Sequence, residues 1–382
     1  MGEEKIIVLG LSPTAMYVGR ESYVANIKCL AYDFKKGPGY HSKYFEKTTI
    51  FSEALFLDKL KKELLNNGTT YYVCPTSDEW ILFIAKNKDI FVGTNLKTSA
   101  SYLDNTYNLL ADKFRLLKTA NIAALNYPNS IVFTPGDERI PDLDTLDFPL
   151  FIKPTDRTGL SHVMQGKKGW LIKDSIEWKS CDILEKLIGV ELLIQEVIIG
   201  KESNIRVLGT LANAGKKQEC WVGIKHRQYP HGFGSASLVI ETQDNELEDI
   251  TDALLEITNY SGFFALETKY CDKRGKTYII EVNTRPGLWF GATTTAGCNF
   301  VIQWVNDLRE EKTVMQVPVS FQSRKNVVWR YYYKDLFVKF KYSNDKSPRI
   351  EGLPKSYAVF DRHDWKPFVF DIIHGLKKIV GL

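Results

Sequence analysis

The residues best suited to chemistry in this chain fall at positions 277–287, Thr-Tyr-Ile-Ile-Glu-Val-Asn-Thr-Arg-Pro-Gly. Tyr278, Ile279, Ile280 and Val282 are strand formers. Glu281, Asn283 and Arg285 occupy alternate positions, so a pleated strand puts these three polar side chains on one face. Pro286 and Gly287 end the strand and leave that face looking into a cleft. A carboxylate, an amide oxygen and a guanidinium in one row are ligands for a hard cation and for phosphate. Upstream, residues 263–269 (Phe-Phe-Ala-Leu-Glu-Thr-Lys) form a second apolar strand interrupted by an acid. The turn Asp272, Lys273, Arg274, Gly275 joins the two into a hairpin in which Glu267 and Glu281 face each other. Apposed carboxylates repel unless a cation sits between them. The plainer reading of the same pattern is an edge hairpin with solvated charges.

The hairpin resembles the metal-binding core of the ATP-grasp superfamily, where an acid on one strand and a Glu-x-Asn-x-Arg run on the next hold magnesium ions against the ATP phosphates. The match is complete at Glu267, Glu281, Asn283 and Arg285. The resemblance implies that Glu267, Glu281 and Asn283 are ligands of Mg2+, with Mn2+ able to substitute. Residues 148–154 (Phe-Pro-Leu-Phe-Ile-Lys-Pro) set a lysine at the end of an apolar strand, where an ammonium needs a charge partner or a shifted pKa. The family's equivalent strand has the same order, which implies that Lys153 binds an α- or β-phosphate of ATP. Residues 155–163 take the place of the loop that covers those phosphates. This segment has fewer glycines than many family members, so Arg157 and the hydroxyls of Thr158 and Ser161 are the alternative contacts. Residues 192–202 read as an apolar strand running into a linker between lobes. By resemblance, Glu196 sits near the adenine amino group, Val197 and Ile198 supply backbone contacts, and Glu202 takes the ribose hydroxyls. On sequence alone that run is a strand and a turn. Asp112, Lys113 and Phe114 open a helix like the one that begins the family's nucleotide-binding region, where the lysine reaches a phosphate; a single helical lysine is more commonly solvated.

The elements around these residues follow from periodicity. Strands at 5–10, 29–33 and 70–74, separated by helical segments ending near Ile27 and spanning 53–66, indicate a parallel α/β unit. Its first turn lacks the Gly-x-Gly-x-x-Gly spacing of a dinucleotide site. Pro75, Thr76, Ser77, Asp78 and Glu79 follow the third strand at its carboxyl end, where open α/β sheets place ligands; capping of a helix by Ser77 or Asp78 explains them equally. Residues 205–211 and 219–225 pair as a hairpin over Asn213, Ala214 and Gly215. Residues 223–236 then read as a basic, aromatic loop. Its Lys225 and Arg227 can hold the γ-phosphate or the acyl phosphate formed from it, or else a substrate carboxylate. His226 and His231 lack a third ligand at metal spacing and read as surface or substrate contacts. Ile250, Ala253, Leu254 and Ile257 stripe a helix that leads into the metal hairpin, and the hydroxyl-rich run 288–297 is a candidate wall of the acceptor pocket. Residues 299–309 follow as a short amphipathic helix.

Beyond residue 313 the aromatic run 327–342 reads as strand or helix packed on the body. Phe368, Ile372, Leu376 and Ile379 stripe a terminal helix beside Lys377 and Lys378. Such a helix can rest on an anionic membrane, although docking on its own domain or on a twin subunit is the commoner use. The expected fold class is mixed α/β and α+β multidomain. An N-terminal parallel-sheet pre-ATP-grasp domain (1–110) precedes a small lobe (111–190), a large lobe with the metal hairpin (191–312) and a C-terminal extension (313–382).

Bulk properties narrow the function classes. The chain has 382 residues, enough for several domains, with 44% hydrophobic and 25% charged residues, ordinary for a soluble globular protein. A net charge of +4 gives no case for nucleic acid. Six cysteines without a Cys-x-x-Cys pair argue against a zinc site or disulfide framework and for reduced thiols in the cytoplasm. No secretory leader, membrane span or fixed-period repeat is expected. The Lys-His-Arg-Gln-Tyr-Pro run from Lys225 and the C-terminal extension are similar to a D-aspartate-ligase-like branch of carboxylate-amine ligases. The resemblance implies an ADP-forming ligase that makes an amide or peptide bond through an acyl phosphate, with Arg285 and Lys225 or Arg227 stabilising charge. Its partners would be a small-molecule, glycan or peptide-precursor carboxylate and an amine such as an amino acid; a homodimer is compatible with the sequence. The alternatives are a thiol or hydroxyl acceptor, or an ATP-binding regulator without turnover. A biotin-dependent carboxylase would need a Met-Lys-Met-like carrier segment, which the chain lacks.

Overall fold

The structure, a computed structural model, describes residues 2–50, 52–136, 141, 143–155, 161–164, 169–309, 326–342 and 348–380. Among these residues the strands form three sheets.

The first is parallel, in the order β3-β2-β1-β4-β5, from β1 (Glu4–Leu9), β2 (Lys28–Asp33), β3 (Lys47–Ile50), β4 (Thr70–Pro75) and β5 (Leu96–Lys97). The apolar runs Ile6 to Leu9 and Tyr71 to Cys74 are almost wholly buried, as strands covered on both faces require. Chain order reverses between β1 and β4, so the crevice at their carboxyl ends is the expected ligand position. Gly10 closes the first turn at φ 116°, and a Cβ there would lie 2.2 Å from Thr76 Oγ1. Ser77 caps the helix Asp78–Lys86 that leaves β4. The segment expected as one helix over 53–66 is α-helical only at Glu53–Lys59 and widens into a π-turn at Leu60–Leu64.

The second sheet, in the order β6-β9-β7-β8, is antiparallel and has its own core. It contains β6 (Ser130–Phe133), β7 (Leu150–Pro154), β8 (Trp170–Ile172) and β9 (Leu192–Glu196), around Phe133, Leu150, Ile152, Leu192 and Ile194. Before it lies the helix Lys113–Ile122, whose start is fixed by Asp112 accepting from Arg115 N at 2.8 Å.

The third sheet runs β14-β13-β10-β11-β12-β15-β16. Its strands are β10 (Ile205–Asn213), β11 (Lys216–Tyr229), β12 (Ser235–Thr242), β13 (Gly262–Cys271), β14 (Lys276–Asn283), β15 (Val328–Arg330) and β16 (Lys355–Tyr357). Residues 223–229, expected as loop, continue β11, because backbone pairing to β12 runs on to Tyr229 and Ser235; the connecting turn is confined to 230–234. The helix Asn245–Thr258 buries Leu247, Ile250, Leu254 and Leu255, and ends where Asn259 turns left-handed at φ 51°. The last two strands carry the C-terminal residues into the same sheet. Two cores join the first and third sheets, whereas the second sheet keeps its separate core. The cleft therefore opens between that lobe and the rest.

Candidate active site

The hairpin forms as its pattern requires. β13 and β14 pair antiparallel with Glu267 opposite Glu281 and Ala265 opposite Asn283. A register slip at Thr268 drops Ile280 from the pairing and sets it against the cleft. Asn283 Nδ2 donates to Glu281 Oε1 at 3.3 Å, so amide and carboxylate share one face. The repulsion between opposed acids is met from within the chain. Lys225, only 2% exposed, reaches from β11 across β10 and places Nζ 2.7 Å from Glu267 Oε1 and 3.4 Å from Gln228 Oε1.

Two cavities meet at this pair of acids. One, about 870 Å³ with its open mouth included, lies between the lobes and is lined by Lys113, Lys153, Val197, Ile198, Lys269 and Phe233, with Glu267 and Glu281 at one end. A cleft between lobes is a usual place for a small-molecule ligand. The other, about 1200 Å³, runs from the same acids past Asn283 and Arg285 to Leu288, Trp289 and Asp78. Arg285 Nε donates to Asp78 Oδ1 at 2.8 Å. The residue after the β4 cap thus reaches the second cavity, at the position the parallel sheet's reversal indicates. Lys113 borders both cavities.

Lys153 lies on the first cavity's wall with Nζ 2.9 Å from Gln195 Oε1. Strand alternation puts Phe151, Lys153 and Gln195 on one side of their sheet. Glu196 also lines this cavity, while strand alternation turns its carboxylate to the other side of the sheet. Its Oε1 accepts from Asp147 N at 2.9 Å and Asn129 Nδ2 at 3.1 Å, and its Oε2 pairs with Arg274 Nη1 at 2.7 Å. That contact is the first cause of the raised Arg274 pKa. The edge of the cavity at this point is the segment Glu196, Val197 and Ile198; Val197 N already donates to Pro149 O.

Glu202 is also committed elsewhere. It accepts from Gln228 N at 3.1 Å and Gly232 N at 3.0 Å, so it anchors the β11–β12 turn and is not among the residues lining the first cavity. The turn it holds brings Phe233 onto Phe151 in a stacked pair 4.8 Å apart, joining the lobes across the cleft.

Arg227 does not reach the acids. The β11–β12 register slips on both sides of it, so Gln228 joins Lys225 on the cleft face and Arg227 turns to the opposite face. There its Nε donates to Asp335 Oδ1 at 2.6 Å, and Arg330 Nη2 lies 2.7 Å from Asp335 Oδ2. His226 is held towards its neutral form by burial and then by Arg227 and Arg206. Ser161 opens the short helix Ser161–Met164; its side chain, with Arg157, Thr158 and Gly159, lies outside the described residues.

Three contributors went unread in the sequence. Lys269 lines the first cavity and its pKa is lowered, chiefly by burial; its signal was the period-2 step from Glu267. Gln195 had the same signal relative to its strand. Phe233 had none, because a turn residue's contact depends on the other lobe.

No protein-family model matches the sequence. Over 331 residues the chain is 21% identical to D-aspartate ligase from Enterococcus faecium (strain Aus0004), with 81% of this chain and 76% of that protein covered. The structure is similar to L-amino acid ligase from Bacillus licheniformis at TM-score 0.59 and 16% identity, covering 83% of this chain and 77% of that one. It is likewise similar to N5-carboxyaminoimidazole synthetase from Staphylococcus aureus complexed with ADP, at TM-score 0.60 and 12% identity, covering 81% and 79%. At these identities the likeness shows a shared fold.

Proposed function

We propose that this chain, whose fold is that of the ATP-grasp superfamily, is an ATP-dependent carboxylate-amine ligase that releases ADP and phosphate. The observation that carries the reading is the meeting of two cavities at Glu267 and Glu281. A nucleotide in the first and a carboxylate in the second would bring the γ-phosphate and its acceptor together at the paired acids. The similarity to a D-aspartate ligase and to an L-amino acid ligase supports an amino acid as one substrate, and the ADP complex of a structural neighbour supports a nucleotide as another.

The donor set fits magnesium. That ion is usually held by one or two carboxylates together with substrate phosphates and water, not by an all-protein cage. Glu267, Glu281 and the Asn283 amide supply such a partial set, and among the described residues no group of three His, Cys, Asp or Glu side chains gathers to hold a metal, here or elsewhere. Magnesium bound here would supply neutralisation of the triphosphate charge and polarisation of the transferred phosphoryl group. Lys153 and Lys113 orient the phosphates, and Lys269 adds a third ammonium to that cavity's wall. Arg285 holds the incoming carboxylate in the second cavity. One carboxylate oxygen bonds to the γ-phosphorus as the bond to the ADP oxygen breaks. An amine nitrogen then bonds to the acyl carbon, phosphate leaves with its electron pair, and the amine proton passes to solvent. Lys225 stands within reach of the transferred charge through Glu267. No protein nucleophile takes part, so none of the six cysteines is needed.

The test is ADP release with MgATP against a panel of amino acids, other carboxylates and amines. The expected result is release that requires one carboxylate and one amine together. Release driven by a thiol or alcohol in place of the amine would move the reading to another acceptor class. Lack of stimulation by any carboxylate would favour an ATP-binding regulator.

A further inference from the structure

The C-terminal helices present an apolar and basic outer surface that the ligase chemistry does not use. The helix Lys366–Val380 has one face docked on its own chain. Phe368 packs against Tyr332 and Phe360, Phe370 against His41, and Asp371 accepts from Tyr331 OH at 3.0 Å. Its other face is equally apolar and faces solvent. Trp365, just before the helix, is 57% exposed, and Val369, Ile373 and Leu376 follow at 40%, 51% and 53%. Steps of four, four and three residues make these a single stripe. The neighbouring helix Tyr332–Lys341 repeats the arrangement with Tyr332, Leu336 and Phe340, the last 90% exposed. The two helices meet where Tyr332 lies edge-on to Phe368.

Charge on these helices is sorted by side. Each helix contains one acid, Asp335 or Asp371, and both are buried. Lys339, Lys341, Lys366 and Lys377 are exposed. Lys339 also borders a cavity whose other charged walls are Arg227, Arg330, Lys355 and a single acid, Glu351. Apolar stripes flanked by outward lysines, with a tryptophan at one end, complement a bilayer surface carrying negative headgroups. A soluble partner's apolar face would not by itself call for one sign of charge. No helix among the described residues is long and apolar enough to cross a membrane, so the contact is interfacial.

We propose that the helices Tyr332–Lys341 and Lys366–Val380 seat the protein on an anionic phospholipid surface. The experiment is flotation of the full chain with vesicles of phosphatidylcholine alone or mixed with phosphatidylglycerol, at low and high salt. The wild type floats with the mixed vesicles and not with the neutral ones, and salt weakens the binding. Val369→Glu with Ile373→Glu abolishes flotation. Lys366→Ala with Lys377→Ala weakens it about 25-fold, about fivefold for each lysine. Both variants keep the wild-type melting temperature and basal ATP turnover in solution. Absence of flotation, or equal flotation with neutral vesicles, overturns the proposal. A dimer in light scattering that Val369→Glu with Ile373→Glu dissociates also overturns it, by making this face a subunit contact.

Discussion

Lys225→Met isolates the device that holds the paired acids together. Directly opposed strand residues place their side chains about 5 Å apart. Two unit charges at that distance, at an effective dielectric near 20, repel by about 3 kcal/mol. In the wild type Lys225 Nζ, 2.7 Å from Glu267, offsets this, and methionine preserves the buried volume while removing the charge. The Glu267 side chain is 18% exposed, so water relieves part of the repulsion and the expected loss is about 2 kcal/mol. For 382 residues that corresponds to a melting temperature lower by about 3 °C. The assay is thermal unfolding with and without millimolar Mg2+ in the absence of nucleotide. The variant should recover most of the loss on addition of Mg2+, because the metal binds the folded state and replaces the missing cation. The wild type, with its lysine in place, should respond less. A variant that melts with the wild type in the absence of metal, or that ignores Mg2+, would refute the view that Lys225 offsets the charge of the acid pair.

Arg227→Met should lower stability by about 2 kcal/mol, because buried Asp335 keeps only Arg330, while kcat of the folded protein stays within about twofold; a hundredfold fall in kcat with unchanged melting would return Arg227 to the chemistry. Glu21, 5% exposed, accepts from Asn299 Nδ2 at 2.6 Å, and burial pushes its pKa up to about 8. A raised carboxyl pKa favours the neutral form in the fold, so its contribution is present in full at low pH and declines as pH rises through about 8. Between pH 7 and 9 the wild type should lose about 1.4 kcal/mol from this group, read as about 2 °C of melting temperature, and Glu21→Gln should remove that slope. Equal slopes in the two proteins would contradict the burial argument.

Local repetition made the polar hairpin legible in advance. The period of two along residues 277–287 and the acid at Glu267 are properties of the pleat, and the paired register follows once the turn at Asp272 to Gly275 is read. The parallel order of the first sheet and the placement of Asp78 follow in the same way from alternating strands and helices. Arg227 was not legible, because a bulge depends on how β11 meets β12, and one slipped residue exchanges faces. Glu196 and Glu202 read as nucleotide contacts from a motif, and no motif spacing announces that they also accept from backbone N–H groups of distant segments, Asp147 for Glu196 and Gln228 and Gly232 for Glu202. The three-residue strands β15 and β16 carry too little local pattern to be assigned and exist by pairing to β12 and to each other. Lys225 was weighed as a phosphate or carboxylate contact. Its contact with Glu267 connects strands 42 residues apart in sequence, and no motif spacing announces it.

The central claim is that a substrate carboxylate takes the γ-phosphoryl group at the meeting point of the two cavities. The most direct measurement uses a carboxylate that stimulates ADP release, labelled with 18O in both carboxyl oxygens, together with MgATP and the amine. Mass spectrometry of the released phosphate should show one carboxylate-derived 18O per turnover in the wild type, and Glu281→Gln should form neither ADP nor labelled phosphate. Phosphate free of the label while amide accumulates would contradict an acyl phosphate and, with it, the placement of both reactants at Glu267 and Glu281.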